Sequence, residues 1–138
     1  RPVDLCLPLP PGFSKKFDRV LIDAPCSGTG TLRRNPEIKW RLKPEDIPMF
    51  SGNQRLILNS AAEAVKKGGR LVYCTCSVLP HENDDVIRRF LADHSDFTVE
   101  PPSDSVPSRL MDTRGFLRTY PHRHTIDGFF GAILKRRI

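Results

Sequence analysis

Two short segments carry residue types that can do covalent chemistry. The first, DAPCSGTG at 23–30, places an acid, a proline and Cys26 directly after a hydrophobic run. The second, YCTCS at 73–77, places Cys76 where another apolar run gives way to a loop. A thiolate is a strong nucleophile, and a polar or positive setting favours the ionised form. Asp23 can pair with a cationic ligand, or donate a hydrogen bond if protonated. Pro25 stiffens its loop, while Gly28 and Gly30 let backbone come close to a ligand. Each thiol also has a plainer reading, because cysteine often serves as a small buried hydrophobe. Cys74, two residues before Cys76 and on the same face of an extended strand, is read in that plainer way.

The elements around these segments explain how two distant thiols can meet. Phe17 to Ile22 (FDRVLI) reads as a buried strand that leads into the 23–36 loop. A helix is expected from Asp46, with Asp46 as its cap, Pro48 in its first turn, Ile57, Ala61, Ala64 and Val65 on one face, and Gly68–Gly69 ending it. A second strand then runs from Arg70 to Thr75. Another helix starts at Pro80 or His81 and buries Val86, Ile87, Phe90 and Leu91. Strands follow at 96–100, 116–120 and 128–135, the last two as antiparallel neighbours, with a long polar loop over 101–115. Strand, helix, strand, helix and late strands imply an α/β sheet, mostly parallel. In such a sheet the working groups gather beyond the carboxyl ends of the parallel strands. The two cysteine segments occupy those two ends.

With 138 residues, 38% of them hydrophobic, the chain suits one compact domain or a piece of a larger one. No run of 18 apolar residues is present, which argues against a membrane span. The formal charge is +6. Arg33, Arg34, Lys39 and Arg41 gather after the first cysteine loop, and Lys135, Arg136 and Arg137 near the end. Such a surface suits a polyanion such as RNA, or is simply a solvated face. Trp40 is open to two readings, a core residue or a platform on which a base stacks. The cysteine pattern gives no disulfide framework and fits reduced thiols in a cytoplasm. His122 and His124 form an H-x-H pair with no cysteine near them in sequence, so no metal site is expected.

Taken together, FDRVLIDAPCSGTG, RRNPEIKW, KKGGRLVYCTCSVLPHEN and DGFFGAILKR resemble the bacterial Sun (Fmu) family of RNA 5-methylcytosine methyltransferases. The likeness covers most of 17–95 and returns at 127–137, and is nearest to members that methylate small-subunit ribosomal RNA. It implies the carboxy-terminal half of a Rossmann-like class I methyltransferase sheet, mostly parallel with a late antiparallel strand. It also implies S-adenosylmethionine as methyl donor and RNA as partner. By the same resemblance Cys76 is the nucleophile, Cys26 helps release the enzyme from the product, and Asp23 contacts the target cytosine. Asp23 and Pro25 then lie against the donor, and the upstream acid that holds the donor's adenosine corresponds to Asp4. Glu82 and Asn83 fall in a segment that braces the nucleophile loop, although ordinary helix-start chemistry accounts for them nearly as well.

The family's glycine-rich donor loop has no counterpart before Asp23, where Gly12 is the one glycine. Residues 1–138 are therefore expected to form a partial catalytic domain whose partner is the amino-terminal half of the same protein. Three other readings stand beside methylation of RNA through Cys76. One is an RNA-binding or assembly module without chemistry. Another is methylation of DNA cytosine through Cys26. The last is redox chemistry at Cys74–Thr75–Cys76, disfavoured because C-x-C lacks the usual C-x-x-C spacing.

Overall fold

The computed structural model describes residues 2–138. Strand β1 (Phe17–Asp23) is followed by a short helix α1 (Ile38–Arg41) and the long helix α2 (Asp46–Ala64). Next come β2 (Val65–Thr75), α3 (Asp84–Asp93), β3 (Phe97–Glu100), β4 (Leu117–Thr119), the four-residue helix α4 (Pro121–His124) and β5 (Phe129–Arg136). The five strands form a single sheet in the order β1-β2-β5-β3, with β4 also on β5. β1 and β2 are parallel, and β5 runs antiparallel to β2, β3 and β4. Four strands therefore point one way and β5 alone is reversed. This is the mostly parallel sheet with a late antiparallel strand that the sequence implied.

Helices α2 and α3 cover one sheet face. Leu58, Ala61 and Ala62 of α2 and Val86, Ile87 and Phe90 of α3 form one core with Leu71, Tyr73, Phe130, Ala132 and Leu134 of the sheet. Period-two alternation puts the next set of residues on the other face. There Leu21 is 70% exposed, and Val72, Cys74 and Ile133 are half-buried. β1 is consequently less buried than its branched residues suggested, since it stands at the sheet edge with one face open. No helix among the described residues is long and apolar enough to cross a membrane.

Two boundaries differ from the sequence reading. α2 ends at Ala64, four residues before the glycines, and Val65 already pairs with Phe17 in the sheet. Amides from the segment before β1 bind the end of α2, Lys15 N to Glu63 O at 2.8 Å and Lys16 N to Ala64 O at 3.0 Å. The freed helix carbonyls are thus satisfied without a glycine cap. Lys66–Gly69 instead bulge out between the Phe17↔Val65 and Arg19↔Arg70 pairs, with Gly68 at φ 75°. At the other end, Asp46 lies one residue inside α2 and its carboxylate reaches back to Lys43 N at 2.9 Å. It tightens the entry turn instead of occupying the cap position.

Candidate active site

The parallel pair β1 and β2 stops at the same level, with Asp23 opposite Cys74. Pairing continues into both loops: Ala24 N donates to Cys74 O at 2.9 Å and Gly30 N to Cys76 O at 2.8 Å. The loops are therefore laced together, and Cys26 Sγ and Cys76 Sγ come to 3.4 Å. Both thiols are half-buried, while Asp23 and Pro25 are exposed at the rim. The Asp23 carboxylate enters no hydrogen bond or ion pair among the described residues, so it is available to a cationic or hydrogen-bonding ligand.

A buried carboxylate fixes this arrangement from below. Glu82 is fully buried at the turn that precedes α3. One of its oxygens accepts from Ser27 N at 2.8 Å and from Gln54 Nε2 at 3.0 Å. The other accepts from the hydroxyls of Ser27 and Ser77. The residue after each thiol is thus tied to the same carboxylate, and Gln54 extends the tie to Pro25 O at 3.0 Å. Four donors offset the cost of removing the charge from water. Asn83 does similar work on the Cys76 side, donating to Ser77 O at 2.8 Å and accepting from Thr75 Oγ1 at 2.6 Å. Close backbone contact completes the frame. Gly128 N donates to Gly30 O at 2.7 Å, and a Cβ on Gly30 would stand 2.1 Å from Gly128 O.

Cys26 is pushed up to about 12, first by burial, then by its hydrogen bond to Cys76 and by charge at Cys76. Its proton is held throughout the neutral range. Cys74 is raised to about 11 by burial and then by the neighbouring Asp23 charge. Tyr73, whose hydroxyl donates to Glu82 O at 2.7 Å, is also pushed upward, mainly by burial. Cys74 and Tyr73 stay neutral, as packing groups do.

The other predicted site residues are placed as follows. Asp4 lies in the amino-terminal segment, its Oδ1 accepting from Cys6 N at 2.9 Å. Arg33 and Arg34 both pair with Asp127, Arg33 at 4.0 Å. Lys39 Nζ sits 5.3 Å from the centre of the Trp40 ring, and Trp40 is 81% exposed, which removes its reading as a core residue. Arg41 lines a cleft of about 280 Å³ with Ser27, Ile38 and Phe50. His124 Nδ1 accepts from Tyr120 N at 2.9 Å. Sequence reasoning missed Gln54, Ser27, Ser77 and Asp127. Gln54 carried a signal, since it stands four residues before Leu58 on the buried stripe of α2, where a polar side chain needs a partner.

The fold is a mixed α/β sheet with two thiols meeting beyond adjoining strand ends, and comparison with known proteins gives its class as that of a methyltransferase domain. The chain belongs to the family described as 16S rRNA methyltransferase RsmB/F, whose model it matches over residues 8–135. It is 46% identical over 121 residues to a probable ribosomal RNA small subunit methyltransferase B from Synechocystis sp., covering 86% of this chain and 27% of the relative. It is 40% identical to the ribosomal RNA small subunit methyltransferase B of Thermus thermophilus, covering 99% of this chain and 32% of that one. Among solved structures, PH0851 matches at a TM-score of 0.82 with 43% identity, covering 89% of this chain and 27% of that one. NSun6 from Pyrococcus horikoshii with SFG matches at 0.75 with 28% identity, covering 88% and 30%. The chain thus spans about a quarter to a third of the length of these relatives.

Proposed function

We propose that this chain is the part of an RNA cytosine-5 methyltransferase that carries the nucleophile, and that its substrate is a ribosomal RNA cytosine. The observation that carries the reading is the meeting of Cys26 and Cys76 at 3.4 Å, from two strand ends, in a chain of this family. The donor is S-adenosylmethionine, in keeping with a related structure that holds SFG, an analogue of it. Asp23 and Pro25 fit the donor's side of the site, because the carboxylate is exposed and unengaged at the strand end. The bound donor supplies an electrophilic methyl group. We assign Asp4 to the adenosine end, as the family resemblance implies.

The residues of this chain handle the base. Carbon 5 of cytosine is a poor nucleophile inside an aromatic ring. The Cys76 thiolate adds to carbon 6, breaks the aromaticity and makes carbon 5 enamine-like, so that it takes the methyl group. Asp23 accepts a hydrogen bond from the cytosine amino group or, when protonated, donates to nitrogen 3. A base then removes the carbon 5 proton, and the carbon 6–sulfur bond breaks to return the Cys76 thiolate. Cys26 still carries its proton at neutral pH and lies beside the departing sulfur, where it can stabilise the leaving thiolate by donating a hydrogen bond without giving up the proton. Arg33, Arg34, Lys39 and Arg41 take phosphates, and the exposed Trp40 ring takes an unstacked base. A cytosine must leave any helix to reach the thiols. The activity resides in a longer protein that adds the remainder of the donor site.

The test uses that longer protein with labelled donor and ribosomal RNA. Wild type is expected to form 5-methylcytidine, and Cys76→Ala none. Cys26→Ala is expected to stall with protein covalently on the RNA. Methylation that persists in Cys76→Ala and disappears in Cys26→Ala would move the nucleophile to Cys26. Wild-type protein that binds RNA without methylating it would favour the assembly-module reading.

A further inference from the structure

The helices that flank the cysteine loops also enclose a cleft that neither cysteine lines. A cleft of about 580 Å³ lies between the first half of α2 and the turn leading into α3. Its apolar wall comes from Pro44, Ile47 and Leu79, and its polar groups from Arg55, His81 and Arg89. No carboxylate lines it. A smaller recess beside it is bordered by Asp85, but Asp85 pairs with Arg88 at 2.8 Å. Arg55 and Arg89 form no ion pair among the described residues. Both arginines also border the recess with Asp85, but neither comes within ion-pair distance of it, so their charges remain open to a ligand.

The cleft also adjoins the candidate active site through shared elements. Leu79 N donates to Ser77 Oγ at 3.1 Å, so the cleft wall is the turn that follows the nucleophile. On the other side, Ile47 faces this cleft while its neighbours Asp46 and Phe50 line the Ser27–Arg41 cleft. The two clefts flank the opening turns of α2.

We propose that this cleft is a second RNA subsite, which holds a single-stranded nucleotide flanking the target cytosine. Arg55 and Arg89 neutralise its phosphate, and its base lies against Pro44, Ile47 and Leu79. This inference rests on the RNA-modifying reading above and extends it to a surface outside the cysteine loops. Basic rim and apolar wall together match the two parts of a nucleotide, charged backbone and flat base.

The experiment measures affinity of the full-length protein for a series of RNA oligonucleotides, from a minimal target to one extended at each end, over a range of salt. Wild type should gain affinity as flanking nucleotides are added. In the Arg55→Ala/Arg89→Ala double variant that gain should fall by about tenfold. The salt slope for extended RNA should drop by about 0.7, the contribution of one neutralised single-strand phosphate. The Arg55→Lys/Arg89→Lys variant should keep most of the gain, and thermal unfolding checks that both variants fold. A length-dependent gain that survives in the alanine variant overturns the subsite. So does unchanged RNA affinity with lost binding of a poly-glutamate probe, which would assign the cleft to an acidic protein. Wild-type protein that binds no RNA of any length would instead bring down the underlying function, and the subsite with it.

Discussion

At the residue scale the Cys26 thiol is governed by its surroundings. Cys26 keeps its proton because it is half-buried and because Cys76 lies against it. Its raised value means that the neutral form dominates at pH 7 to 9, so alkylation there is slow. Replacing Cys76 by alanine removes two of the three causes of the rise and leaves burial. Iodoacetamide labelling followed by peptide mass spectrometry should therefore show Cys26 reacting faster in Cys76→Ala than in wild type at pH 8. Equal rates would mean that Cys76 does not hold the Cys26 proton. Both cysteines and Asp23 were legible in the sequence because each follows an apolar run, where side chains emerge at a strand end. Trp40 was not, since a lone aromatic in a short basic segment has no periodicity to show which way it faces.

At the scale of elements, the site depends on one turn gripping two loops. Truncating Glu82 to alanine would orphan buried donors from Ser27, Ser77 and Gln54. Each costs about 1–3 kcal/mol when left unpaired, so a loss of several kcal/mol in urea unfolding is expected. Glu82→Gln keeps one acceptor oxygen and should lose less. Equal losses would show that packing, not hydrogen bonding, holds the turn. Gly30→Ala makes a separate case. Its Cβ would press on Gly128 O, which is backbone and cannot swing aside. The variant should part the loops and slow formation of a Cys26–Cys76 disulfide under mild oxidation, as read by free-thiol titration.

The same scale shows why some boundaries escaped the sequence. Glycines at 68 and 69 promised a helix end, but the earlier stop at Ala64 is set by amides from the segment before β1, more than forty residues away in sequence. Local propensity carries no trace of such a contact. The Glu82 clamp is similar. Each serine and the glutamate look ordinary alone, and their meaning depends on three elements converging. Strand order was partly open as well: helix–strand alternation implies the parallel β1–β2 pair, whereas the placement of β5 between β2 and β3 follows from tertiary pairing.

At the scale of the whole molecule, the sheet is covered on one face by α2 and α3, and the other leaves Leu21, Val72 and Ile133 accessible. Sheets with a parallel core are covered on both faces in stable α/β proteins. β1 also presents a free edge, the place where further strands would pair. Relatives three to four times as long have chain enough to cover both. Hydrogen exchange should therefore find the outward-facing β1 amides fast in the 138-residue chain and protected in a protein of the relatives' length. Equal protection in both would place the added chain elsewhere.

The central claim is that Cys76 attacks the base while Cys26 stands beside it as a protonated hydrogen-bond donor. Peptide mass spectrometry of the full-length enzyme, trapped on RNA whose target cytosine carries fluorine at carbon 5, tests it most directly, because the fluorine prevents loss of a proton there. The predicted result is a nucleotide bonded to the peptide containing Cys76, with Cys26 recovered as free thiol. A nucleotide bonded to Cys26, with Cys76 free, would contradict the account.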